Sequence, residues 1–140
     1  MKSLLRGLAV GGGSLALAVA GVSVAAADSG DGNVACNRGE ICFSQNWGSY
    51  RYQKHFYWSG QHAGYVWFDT VAGKATNRAI RNDASAVANR DTQCDVRVVN
   101  DRGVLPDSTI LIARVPSRVN WVYLGDINDA NDRHERTNCG

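Results

Sequence analysis

A nucleophile with its base, a pair of carboxylates or a cage of metal ligands is what a small protein needs for chemistry, and this sequence is sparing with all three. It has no H-E-x-x-H and no G-x-S-x-G segment, and Glu40 and Glu135 are its only glutamates. His55 and His62 lie seven positions apart in a Trp/Tyr-rich stretch, with Ser59-Gly60 between them as a turn. On a strand that spacing puts them on opposite faces, so both are expected to be exposed polar residues and not a metal pair. His134 falls in a charged C-terminal stretch and is expected to be solvated. No catalytic residue is assigned, and an enzyme is not expected.

The cysteines carry the remaining chemistry. Zinc needs closely paired ligands such as C-x2-C, and Cys36, Cys42, Cys94 and Cys139 have no such spacing. Their even number behind an export signal predicts two disulfides, for which three pairings exist. The short spacing of Cys36 and Cys42 suits a local bridge across a turn and leaves Cys94 to hold the C-terminus through Cys139. A long bridge of that kind contributes roughly 2–4 kcal/mol in the chain-entropy model.

The export signal is read from Lys2 and Arg6, an apolar run from Leu8 to Val24, and Ala25-Ala26-Ala27 before a cleavage point at Asp28. Residues 1–27 are thus expected to be a signal peptide, 28–34 a flexible leader and 35–140 a single domain acting outside the cell. The chain has 15 Lys and Arg against 13 Asp and Glu, and Lys2 and Arg6 account for the whole excess. A balanced domain argues against nucleic acid or an anionic membrane as partner. A monomer is expected.

Stepping along the domain, short apolar or alternating runs are cut by turn residues. Strands are expected at Ile41–Ser44, Tyr50–Phe56, Tyr65–Asp69, Ala86–Asn89, Asp95–Val99, Ile110–Val115 and Val119–Leu124. Between them lie Asn46-Trp47-Gly48-Ser49, Asn82-Asp83, Asn100-Asp101-Arg102-Gly103 and Pro106-Asp107-Ser108. Only the Ala-rich stretch from Val71 to Val87 admits a turn or two of helix. Short strands at this spacing predict an all-β sandwich or barrel. A strand running into an Asn/Gly turn occurs at Cys42–Gly48 and again at Val98–Gly103, each followed by an Asn-Asp pair, Asn82-Asp83 and Asn128-Asp129. Two four-strand units packed face to face, a duplicated Greek key, account for this.

Most aromatic residues crowd between Tyr50 and Phe68. Period-two counting puts Tyr50, Tyr52 and Phe56 on one face, and Tyr65 and Trp67 on one face, as core packing requires. Tyr57 and Trp58 break that alternation beside a turn, which makes them candidate binding residues for a protein or a sugar.

Cys36-Asn37-Arg38-Gly39-Glu40-Ile41-Cys42-Phe43, Trp47-Gly48-Ser49-Tyr50, Arg81-Asn82-Asp83-Ala84-Ser85-Ala86-Val87 and Cys94-Asp95-Val96 together resemble the Streptomyces metalloproteinase inhibitor family. The resemblance implies a secreted βγ-crystallin-like sandwich of two Greek keys, with an extracellular metalloproteinase as partner. It implies a reactive bond between Cys94 and Asp95, although no cysteine follows Cys94 closely enough to form the family's small loop. It also raises a calcium site at Asn82, Asp83 and Ser85, with Asn128 and Asp129 as a second copy. Calcium wants several carboxylates, and Arg81 stands in the first ligand position, so turns held by Asx hydrogen bonds are the expected role. The rivals are a carbohydrate or cell-wall binding module, suggested by the aromatic cluster, and a killer-toxin-like protein on the same fold.

Overall fold

The computed structural model describes residues 34–140. The expected signal peptide, and the leader apart from Val34, lie outside the described residues.

The chain is all-β. It forms β1 (Ile41–Asn46), β2 (Ser49–Phe56), β3 (Gly60–Gln61), β4 (Val66–Asp69), β5 (Lys74–Ala79), β6 (Ala86–Asn89), β7 (Asp95–Asn100), β8 (Ser108–Ile112), β9 (Trp121–Tyr123) and β10 (Arg133–Thr137), with a 3-10 turn at Gly125–Ile127. One sheet has the order β5-β4-β2-β1-β6-β9 and the other β3-β10-β7-β8. All pairings are antiparallel. The sheets are not closed units of one half each. β3 leaves the first half to pair with β10, and β9 leaves the second half to pair with β6. Each half therefore lends a strand to the other's sheet, and neither can complete its own sheet alone.

Alternation places the core. Ile41, Phe43 and Val87 from one sheet meet Val96, Val98 and Ile112 from the other, with Phe56, Trp67, Ile80 and Leu124 closing the layer. Trp67 buries its ring while its indole N–H donates to Asp83 Oδ2 at 2.8 Å. Tyr52 and Tyr65 pack half-buried against this core. Tyr50, read as a core residue, instead stacks on Trp121 at 4.6 Å and 7°.

Two disulfides, Cys36–Cys42 and Cys94–Cys139, close the chain. They mark a protein of an oxidising compartment. No helix among the described residues is long and apolar enough to cross a membrane.

Three strands were not legible in the sequence, and one stretch was misread. Val71–Val87 contains no helix. The Asp69 carboxylate accepts from the amides of Val71 and Ala72, Gly73 takes φ 65°, and the reversed chain pairs as β5 along β4. That carboxylate also faces Arg51 at 2.6 Å, and this hydrogen bond holds its pKa below the usual carboxylate range. The charged C-terminal stretch is β10, an interior strand between β3 and β7.

Candidate functional site

The histidines overturn their expected exposure. His55, His62 and His134 are all buried. His55 lies between Gln53 Oε1 at 2.9 Å and the equally buried Glu40 carboxylate at 3.4 Å. His62 and His134 come together from β3's end and β10, Nε2 to Nδ1 at 2.9 Å, against the rings of Phe43 and Phe56. Period two holds only within one strand, whereas His55 belongs to β2 and His62 follows β3, so each is buried by its own set of distant neighbours. The alternation of β10, with His134 inward, is hidden by charged neighbours on a short strand.

One set of tautomers satisfies the pair. Asn131 Nδ2 donates to His62 Nδ1 at 2.6 Å, His62 Nε2 donates to His134 Nδ1, and His134 Nε2 donates to the Trp58 carbonyl at 2.6 Å. With that acceptor role, the 3.3 Å approach of His62 Nδ1 to Asn131 O is a contact and not a bond. Both rings are neutral. Burial pushes His62 down to about 3, with His134 adding to the shift, and burial pushes His134 down to about 4.

Asn131 is the joint between the halves. Its Oδ1 accepts from the amides of Asp83 and Ala84, its second amide hydrogen goes to Ile80 O, and its carbonyl accepts from Asn82 N. The three residues after it continue inward and outward. Asp132 takes Arg81 at 2.6 Å on one oxygen and the Asp101 amide at 2.8 Å on the other. Arg133 reaches Asp107 at 3.1 Å and Asp101 at 3.6 Å, so one guanidinium spans both legs of the β7–β8 connection. His134 is the buried pair's second member.

The β7–β8 connection, residues 101–107, is thereby held at its base. Asp101 Oδ1 accepts from Gly103 N at 3.1 Å, Gly103 takes φ 66°, and Leu105 N donates to Arg102 O at 3.3 Å. At the tip Val104 is 102% exposed and Leu105 54% exposed. Two adjacent branched apolar side chains are presented to solvent on a braced turn.

The Cys94–Asp95 bond is placed differently from what the resemblance implied. Cys94 is buried, its amide donates to Asp91 Oδ1 and its carbonyl accepts from Asn89 Nδ2. Asp95 opens β7, and its carboxylate accepts from Arg114 N and Asn138 Nδ2. The first of these contacts lowers its pKa most. This peptide bond leads from a buried, hydrogen-bonded turn straight into β7 and is not on a projecting loop. Cys139, its disulfide partner, lies at the exposed end of the chain.

The calcium candidates are taken up by contacts within the protein. Asp83 is occupied by Trp67, Gln45 and Arg78. Ser85 is buried with its amide on Ser44 O and its carbonyl on Leu124 N. Asn128 Nδ2 donates to Asp129 Oδ2 at 2.8 Å, and Asn128 Oδ1 alone is buried without a partner. Asp83 is already paired with Arg78 and Asp129 with Asn128 Nδ2, so these oxygens do not make a set that fits a calcium ion. Asn82 at φ 56° and Asp129 at φ 54° share the left-handed conformation, which pairs Asn82 with Asp129 as equivalent turn positions. The cluster of Cys36, Glu40 and Cys42 offers no metal cage either, since both sulfurs are in the disulfide.

Tyr57 and Trp58 are both exposed at their rims. Trp58 sets its edge against Phe56, while its carbonyl holds His134. A second aromatic surface was missed in the sequence: Trp47 lies 5.8 Å from Tyr123, and Trp121 covers the Cys36–Cys42 bridge. Its members come from two distant segments, and no local spacing announces them. The chain matches no family model, no curated protein and no solved structure.

Proposed function

We propose that the protein is a secreted inhibitor of an extracellular metalloproteinase and that it offers the tip of the β7–β8 connection, Val104-Leu105, to the enzyme's cleft. The fully exposed Val104 beside Leu105, on a turn whose two legs share Arg133, carries this reading. An inhibitory loop gains affinity by being ordered before it binds. A cleft that takes a bulky apolar residue after the scissile bond would accept Leu105 far better than Asp95. Two buried residues before Arg133 and one after it, Asn131, Asp132 and His134, anchor the brace in the sandwich. The strand exchange between the halves is consistent with a βγ-crystallin-like sandwich of two Greek keys.

Purified protein titrated against a thermolysin-like proteinase tests it. Saturable inhibition is expected at micromolar protein or below, with loss in Leu105→Asp. No slowing at that concentration across several secreted metalloproteinases overturns the reading.

A carbohydrate-binding reading is favoured by one observation, the Tyr50–Trp121 stack beside Trp47 and Tyr123 on the outer face of the six-stranded sheet. Retention on insoluble chitin, cellulose or peptidoglycan, abolished by Trp47→Ala, would support it over the inhibitor reading.

A further inference from the structure

At the opposite end of β8 from the Val104 tip, the residues after Ile112 pass beside the turn that follows Cys36. Between them lies a surface cavity of about 520 Å³ lined by Arg38, Arg90, Pro116 and Ser117. Arg90 is half-buried and holds the two segments together, donating from Nη1 to Cys36 O at 2.6 Å and from Nη2 to Pro116 O at 3.0 Å. Its Nε is buried with no hydrogen-bond partner. Carbonyl groups fix a guanidinium in place but leave its charge uncompensated.

The charge pattern sets this cavity apart from the molecule's ion-paired arginines. Arg51, Arg78, Arg81, Arg97, Arg133 and Arg136 each lie within 4 Å of a carboxylate. Among the described residues Arg38, Arg90, Arg102, Arg114 and Arg118 have no such ion pair; Arg38 and Arg90 share one cavity, and no acid lines it. Glu40, the acid closest in sequence to Arg38, is turned to Asn37 N and to His55. Arg118, next to Ser117, adds a further cation without a carboxylate. Two arginines and a serine thus line a pocket that supplies no carboxylate.

We infer that this cavity binds a phosphate oxyanion, with Arg38 and Arg90 as its charge contacts and Ser117 as a hydroxyl donor. Guanidinium forks match tetrahedral oxyanions with paired N–H donors, and a partly desolvated cation gains most from an ion that enters its own shell. The cavity exceeds the size of a bare phosphate, so the group arrives either as the free ion or as part of a phosphodiester chain. The site does not rest on the inhibitor reading, since it uses no residue of the β7–β8 tip.

Isothermal titration and amide NMR shifts of the purified protein with inorganic phosphate, and separately with poly(glycerol phosphate), test the inference. Saturable binding is expected from at least one, with shifts centred on Arg38, Arg90 and Ser117. The tighter of the two identifies the source. Arg38→Gln, which removes an exposed side chain, should weaken binding at least tenfold while leaving the fold intact. Arg90→Gln is the less useful variant because it also unties Cys36 from Pro116. Shifts reproduced by sodium chloride at equal ionic strength, or binding unchanged in Arg38→Gln, overturn the site. So does the absence of saturable binding to both probes.

Discussion

Asn131 and Val104 are extremes of one sandwich. Asn131 is a polar residue with no exposure, and its amide hydrogens and side-chain oxygen all have partners on the other half of the chain. Val104 is an apolar residue with full exposure at a braced tip. A buried amide with complete hydrogen bonding reports what holds the halves together. An apolar side chain held out in water stabilises nothing in the free protein and is available to a partner. Arg133 and Asp132 connect the two regions, so the stability of one sets the order of the other.

Breaking the joint should have the largest effect. Asn131→Ala strands the Ala84 amide and His62 Nδ1 and leaves the Asp83 amide and the Ile80 carbonyl only their 3.3 Å bond to each other, for a loss of roughly 2–4 kcal/mol in urea unfolding. Acid should act at the same place more gradually. His62 and His134 are held neutral in the folded state, with pKa values of about 3 and about 4 against an ordinary 6.5. Unfolding lets both take up protons, so their contribution is complete above about pH 6.5 and falls as pH drops toward the folded values. That loss is on the order of several kcal/mol, and His62→Gln should flatten the slope of stability against pH over this window.

The tip should behave in the opposite sense. Leu105→Asp is expected to change unfolding stability by less than about 0.5 kcal/mol yet weaken proteinase inhibition by on the order of a hundredfold. Arg133→Ala sharpens the contrast: Val104 and Leu105 remain, their brace is lost, and inhibition should weaken by about tenfold through loop ordering alone. The smallest effect on inhibition belongs to Asp95→Asn, which should leave it unchanged because that residue lies within β7. A loss of inhibition there equal to that of Leu105→Asp would return the reactive bond to Cys94–Asp95.

The all-β class was legible because period-two runs and Asx/Gly turns are local signals, and seven of the strands follow them. β3, β5 and β10 were not legible. Lys74–Ala79 has little apolar content and is a strand because Asp69 turns the chain back on β4. Arg133–Thr137 reads as a solvated stretch, and becomes an interior strand through partners on both sides. The candidate site was half legible. Asn100-Asp101-Arg102-Gly103 announced a turn, but nothing nearby in sequence announced that Arg133 would close it.

What the sequence determined by itself is what neighbours along the chain can enforce: strand and turn periods and the short spacing of Cys36 and Cys42. Tertiary structure decided the rest. It brought His62 to His134, Arg133 to Asp101 and Asp107, and Arg90 to Cys36 and Pro116 across long stretches of chain. Whether such a side chain is solvated, neutral or paired depends on which distant groups displace its water, and that is fixed only when the two sheets close.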